Sequence, residues 1–302
     1  MIYFFSRSKQ KAIACSYQNA KGGQEMTKQH KIDCHTHIVN RQISTQYFDN
    51  PGGGDYALVM EFLPYMAKEE MPDESWDLTD GHDRLFLCPS VDIHKDIPAQ
   101  LKIIEEKMAQ RPGCKVVGLK IFLSYQTGRA DDERMMPIYD FCAQHGLSVT
   151  FHTGLPSYHL PYENDVEGSR MEYIANVARK YPAVNFICAH MGDPYYDESV
   201  QAMHGLSNMF TDFAGAFEPG TEVAADEEGT IDQWAHAIHQ FPDTYRQILY
   251  GTDFCPPILL WEFDKYDYSI EKIFTPDQFE DIYWNNALRA FPKLAGYINK
   301  KG

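Results

Sequence analysis

The sequence predicts an α/β protein, a single (β/α)8 (TIM) barrel with insertions after the early strands. Three observations predict it. The chain has 302 residues, a length that suits one large barrel of about 250 residues. From residue 31 onward, eight short apolar, β-branched bursts alternate with longer segments of helical spacing, the pattern of strands and crossover helices. Several bursts end in His or Asp just before the chain breaks into Gly, Phe or Pro. In such a barrel the functional groups gather at the C-terminal strand ends.

Residues 1 to 25 are polar, and their apolar runs are broken by Arg7, Lys9, Gln10 and Lys11. They lack the continuous apolar core of a signal peptide. They are read as an extension outside the domain, which runs from Met26 to residue 302. The first strand is "KIDCHTHI". Strict alternation would set Asp33, His35 and His37 on one face, with Ile32, Cys34, Thr36 and Ile38 on the other. The second and third strands are "YALVMEF" and "RLFLCPSV". Around them, "NPGGGDY" and "MPDESWDLTDGHD" read as loops, so residues 39 to 80 carry insertions of the kind that cover an active site. The remaining strands are "VVGLKIFL", "LSVTFHTG", "NFICAHMG", "NMFTDFAG" and "QILYGTDF". Among the helices, "ERMMPIYDFCAQHG" ends at Gly146, a C-terminal stop. "GSRMEYIANVARKYP" ends before Pro182, and "DQWAHAIHQFPDTYRQ" precedes the last strand. The tail "TPDQFEDIYWNNALRAFPKLAGYI" opens on a Thr275 cap followed by Pro276.

Hydrophobic content of 44% and aromatic content of 14% are enough for a sizeable core. The net charge of -16 argues against nucleic acid, which would select a basic face. Seven cysteines, an odd number without a C-x-x-C pair, read as reduced thiols of a cytoplasmic protein. No apolar run is long enough to span a membrane.

The strand ends carry the chemistry. Alternation groups Ser148, Thr150 and His152 on one face, Phe186, Cys188 and His190 on another, and Leu249, Gly251 and Asp253 on a third. Together with His35 and His37, four imidazoles and a carboxylate would meet at one mouth. These are ligands for Zn²⁺ and other divalent metals, although an H-x-H pair alone is also met as a polar accident. Lys120 shares a face with Val116 and Gly118, and a lysine pointing into a barrel is costly unless paired. It is expected to contact substrate, with a metal-bridging carbamate or a structural role as alternatives. Arg129, in "YQTGRADDE", is a candidate carboxylate clamp or a solvated loop cation. His159, in the loop after the fifth strand, is a candidate substrate contact. The run Asp131, Asp132, Glu133 reads as a solvated helix start.

The pieces "DCHTH", "FHTG", "AHMG" and "YGTDF", in that order, resemble the amidohydrolase superfamily, in particular the amidohydrolase-related group that includes aminocarboxymuconate-semialdehyde decarboxylase. The resemblance covers roughly residues 31 to 292, and "WNNALRAF" is similar to that group's closing helix. It implies one divalent ion, zinc first and manganese as the alternative, held by His35, His37 and His152, with Asp253 as ligand or as base. It implies that His190 assists behind the ligands, or is itself a ligand in dinuclear members. The expected activity is hydrolysis of a small amide, ester or lactone. The alternative is non-oxidative decarboxylation of an unsaturated or aromatic acid, and a metal-binding barrel without catalysis stands last. The expected partners are a small-molecule substrate, a carboxylate among the candidates, and a second copy of the chain in a homodimer. No nucleic acid or membrane is expected.

Overall fold

The computed structural model describes residues 29–67, 72–156, 166–217, 222–255 and 263–298. The N-terminal extension and His159 lie outside the described residues. All eight expected strands form: β1 (Ile32–Thr36), β2 (Tyr56–Met60), β3 (Leu85–Cys88), β4 (Gly118–Ile121), β5 (Ser148–Phe151), β6 (Phe186–Cys188), β7 (Met209–Asp212) and β8 (Ile248–Leu249). Parallel ladders run β1-β2-β3 and β4 through β8. Parallel bridges Leu87–Val116 and Ser90–Lys120 join β3 to β4, and Thr36–Phe254 joins the end of β8 to β1. The strands therefore close into a parallel barrel with helices between them, a TIM barrel.

Inside the barrel, Ile32, Cys34, Leu58, Phe86, Val117, Ile187, Phe210 and Leu249 form one apolar cluster. It is closed at the N-terminal end by Phe291 and Leu294. On the outer faces, Val59, Leu119, Val149, Phe151 and Cys188 pack against helix residues such as Leu101, Ile138 and Ile174. The apolar plug fills the lower barrel, so buried polar groups collect at the opposite, C-terminal end, where functional groups of this fold sit.

The helices follow their sequence signals in most places. Gly146 (φ +64°) ends the helix Met136–His145 in the left-handed conformation, which a residue without Cβ adopts at least cost. Before the C-terminal helices, Thr275 N–H donates to Gln278 Oε1 at 3.1 Å, a capping box. The tail is not one helix as its pattern suggests. It divides into a π-turn at Asp281–Asn285 and helices Asn286–Ala290 and Pro292–Ile298. The break falls at Pro292, which has no N–H to continue the ladder.

Residues 39 to 80 differ from expectation. Two helices form in this stretch: Arg41–Phe48, where the sequence pattern marks no element, and Ser75–Thr79, inside the segment read as loop. The first is started by Asn40, whose side chain accepts from Ile43 N–H at 3.0 Å, and it buries Ile43 and Tyr47. At eight and five residues both are too short for a helical period to stand out. No helix among the described residues is long and apolar enough to cross a membrane.

Candidate metal centre

The first strand does not alternate strictly. Asp33 pairs with Ala57 and Thr36 with Val59, so β1 spends three steps where β2 spends two. This β-bulge reverses the faces at its position. Asp33 turns outward to the helix layer, where the Tyr47 hydroxyl donates to it at 2.9 Å. Cys34 and His35 both face the interior. The expectation that Asp33 shares the histidine face, and Cys34 the opposite one, is corrected on this ground.

His190 reaches the site by another route than alternation. On β6 it is Ile187 that faces the interior, while Phe186 and Cys188 face the helices. His190 swings in through the turn Ala189–Gly192, with φ of +63° at His190 and +49° at Met191. Asp253 also sits in the left-handed region, at φ +56°. Non-glycine residues held there mark places where surrounding structure fixes the backbone, often at functional sites.

The hydrogen bonds fix the tautomers. The His37 Nδ1–H donates to Met60 O at 2.8 Å, leaving its Nε2 as a lone pair. His35 Nδ1–H donates to Asp212 Oδ2 at 3.2 Å. His190 Nδ1–H donates to Ala214 O at 2.6 Å, so its Nε2 accepts from His152 Nδ1–H at 2.9 Å. His152 is then left with an Nε2 lone pair, and that buried atom has no hydrogen-bond partner among the described residues. Anchoring Nδ1 on an oxygen and presenting Nε2 is how metal-binding histidines are held.

The free lone pairs converge. His37 Nε2 lies 3.2 Å and His35 Nε2 3.5 Å from Asp253 Oδ1, itself buried without a hydrogen-bond partner. Two imidazole lone pairs and a carboxylate oxygen this close repel unless positive charge stands among them, and the Lys120 ammonium, 3.1 Å from His35 Nε2, meets one of the three. The spacing suits an ion: bonds of about 2.05 Å to N and O ligands give tetrahedral edges of about 3.3 Å. His35, His37 and Asp253 thus form one triad in mutual reach, and His35, His190 and Asp212 form a second. His152 stands beside His190, one hydrogen bond away, and belongs to neither triad.

The electrostatics agree. Burial and the Lys120 ammonium push the His35 imidazole down to about 4. Burial and His190 hold His152 well below its ordinary value. Burial would raise the Asp253 carboxyl, but its interactions with His35 and His37 outweigh it and hold the group well below the usual carboxylate range. A metal ion among the same atoms would act in the same direction. Lys120 is fully buried, with Nζ 3.1 Å from His35 Nε2, and burial brings it down to about 8.

A family model for amidohydrolases matches residues 32–293. The chain belongs to the amidohydrolase family. No curated protein matches it in sequence. Among solved structures, it is similar to a putative 2-pyrone-4,6-dicarboxylic acid hydrolase from Pseudomonas putida, at 12% identity and a TM-score of 0.59, covering 89% of this chain and 99% of that one. An amidohydrolase from Burkholderia multivorans with bound zinc is 13% identical, with a TM-score of 0.57 over 87% of this chain and 99% of that one. The 5-carboxyvanillate decarboxylase of Sphingomonas paucimobilis is 15% identical, with a TM-score of 0.54 over 83% and 82% of the two chains.

Within this family setting, Asp212 is the residue that reading the sequence missed. It is fully buried, receives His35 Nδ1–H on Oδ2, and accepts from His190 N–H at 2.9 Å and Ala214 N–H at 3.1 Å on Oδ1. Its signal was present in "NMFTDFAG": an acidic residue at a strand end before Phe and Gly, as in the other strands. Arg129 lies elsewhere. It is exposed, donates to both oxygens of Asp131 at 2.9 and 3.0 Å, and stacks on Tyr173 at 3.8 Å. No described contact brings it to the cluster.

Proposed function

We propose that the protein is a metal-dependent hydrolase that cleaves an amide, ester or lactone in a small organic substrate. The reading is carried by the convergence of the His35 and His37 lone pairs on Asp253 Oδ1, an acceptor set with the spacing of metal ligands, of which the Lys120 ammonium meets only His35. Imidazole nitrogen and carboxylate oxygen suit zinc, with manganese as the alternative. His35, His37 and Asp253 would hold the ion, with His152 offering its free Nε2 from beside His190. When bound, such an ion lowers the pKa of water towards neutrality and polarises a carbonyl.

The rest is the work of the chain's own groups. Asp253 turns Oδ1 to the imidazoles and keeps Oδ2 to accept the proton of the attacking water. His190, anchored on Ala214, meets Asp253 across Gly215 and would support developing negative charge on the substrate once its Nε2 carries a proton in place of the bond from His152. Asp212 holds the His35 tautomer. Lys120 is the cation at the floor of the cluster, in reach of a carboxylate or polarised carbonyl. That buried ammonium is also what favours a second reading, non-oxidative decarboxylation of an unsaturated or aromatic acid, since a carboxylate substrate needs a cation to receive it.

Metal analysis of the purified protein, followed by a panel of lactones, amides, esters and aromatic carboxylates with CO₂ monitored, tests the reading. About one zinc or manganese per chain and hydrolysis without CO₂ is the expected result. CO₂ release from a carboxylate would move the assignment to the lyase. A protein that binds neither metal would overturn both.

A further inference from the structure

Apart from the two triads, the buried ionisable group with the most complete set of partners near the cluster is one that the mechanism does not use. Asp33 is fully buried behind the imidazoles and all its acceptor positions are filled. Oδ1 accepts from His35 N–H at 3.2 Å and Thr252 N–H at 3.1 Å. Oδ2 accepts from the Tyr47 hydroxyl at 2.9 Å and the Thr252 hydroxyl at 2.7 Å. The two hydroxyls are themselves fixed: Tyr47 Oη accepts from Gly54 N–H at 2.9 Å, and Thr252 Oγ1 from Phe254 N–H at 3.2 Å.

The place of these bonds gives them their meaning. The β1 and β8 ends meet through few backbone links: Cys34 N–H to Tyr250 O, Asp253 N–H to His35 O and His37 N–H to Phe254 O, at 2.7 to 2.9 Å. The first triad straddles that junction, with two imidazoles on one side and the carboxylate on the other. Asp33 is bonded to the residue before Asp253 by both its N–H and its hydroxyl, and to the backbone of His35. One carboxylate thereby links the two halves of the triad, from outside the pocket, where the bulge turns it.

We propose that Asp33 is a positioning residue for the metal triad, acting through Thr252 and the His35 backbone rather than by touching ion or substrate. The inference rests on the metal-dependent reading. An amide at position 33 could not replace the carboxylate. Its oxygen would have to face the two backbone N–H groups, which cannot turn, so its NH₂ would face two hydroxyls whose O–H donors would lose the acceptor they now share. Groups that orient ligands without touching the ion are worth about ten- to a hundredfold in metal affinity when lost.

Zinc affinity by competition with a chromogenic chelator, and the visible spectrum of the Co²⁺-loaded protein, test this. Asp33→Asn and the milder Thr252→Val are compared with Thr79→Val. Thr79 is a buried threonine far from the cluster, and its hydroxyl donates to Ser75 O at 2.7 Å. The proposal expects Thr252→Val to bind zinc about tenfold more weakly and to shift the cobalt bands. It expects Thr79→Val to keep the parent's affinity and spectrum even where its melting temperature falls. Thr252→Val with parental zinc affinity and cobalt spectrum would overturn the proposal and leave the metal site standing. A parent protein that binds neither ion would instead overturn the metal-dependent reading itself.

Discussion

Gly215 lies where a side chain would strike the Asp253 carboxylate. A Cβ built there would stand 2.8 Å from Asp253 Oδ2 and 3.3 Å from His190 Cε1 and Nδ1, at φ +71°. Gly215→Ala therefore carries two costs. The left-handed backbone costs an L-residue roughly 1–2 kcal/mol, about 2–6 °C in Tm for a chain of this size. The methyl also sits about 0.6 Å inside ordinary contact distance, so Asp253 or the loop must give by about half an ångström. A 1 Å misplacement costs roughly a hundredfold in rate, so about tenfold is expected here in kcat/KM, on the substrate the panel identifies. Gly146→Ala separates the two effects. It has the same handedness, φ +64°, with nothing within 4 Å of its Cβ. Gly146→Ala should lose stability to a similar extent and keep full activity and zinc affinity. Equal activity in the two variants at equal Tm would refute the placement of Asp253 against Gly215.

Asp212→Asn should weaken zinc binding by about ten- to a hundredfold, because an amide can present a donor to His35 Nδ1 and release the wrong tautomer; isothermal titration with zinc checks it, and unchanged affinity would remove Asp212 from the centre. His152→Ala is expected to lower the bound metal per chain, and equal metal content by elemental analysis would show that its free Nε2 is not a ligand. Lys120→Ala should retain the metal and raise KM for a carboxylate-bearing substrate more than for a neutral one; loss of metal instead would make the lysine part of the metal site. In the metal-free protein, His35 stays neutral down to about 4, whereas an unfolded histidine takes its proton near 6.5. Between those values the unfolded state binds the extra proton, so this group makes stability fall as pH falls through the window. Burial raises Asp33 to about 7, with the opposite slope, so the His35 contribution is read as the difference between parent and His35→Gln melting curves from pH 4 to 7. Parallel curves would contradict it.

The barrel was legible because each strand is a short β-branched burst and each burst survives as a strand. His35, His37 and Asp253 were legible because they occupy strand ends. Asp33 and Cys34 were misplaced by the same rule of alternation that found the others, and His190 was placed at the mouth by a face it does not share. A bulge in β1 and a left-handed turn after β6 depend on tertiary contacts, such as His190 N–H on Asp212 Oδ1, and no period of two records them. The short helices after β1 and β2 escaped notice because each is held by burying only three residues, Tyr47 and Trp76 chief among them, with a side-chain cap only on the first. Asp212 was overlooked although its strand end looks like the rest; on that strand, residue type and position were sufficient.

The junction of β8 with β1 also orders events in time. Thr252 and Asp33 are 219 residues apart in sequence, so the first triad joins the beginning of the domain to its end. Closing so long a loop costs chain entropy before any contact repays it. During synthesis His35 and His37 emerge early, yet they have no carboxylate to face until residue 253 has left the ribosome. On the metal-dependent reading, metal capture would therefore be a late step that reports a completed barrel, not a nucleus around which the barrel forms. Amide exchange at Cys34, His37 and Asp253 should slow on zinc addition while that of β5 and β6 stays as it was. An ion bound there would, in that sense, work as the clasp of a ring whose links are already made.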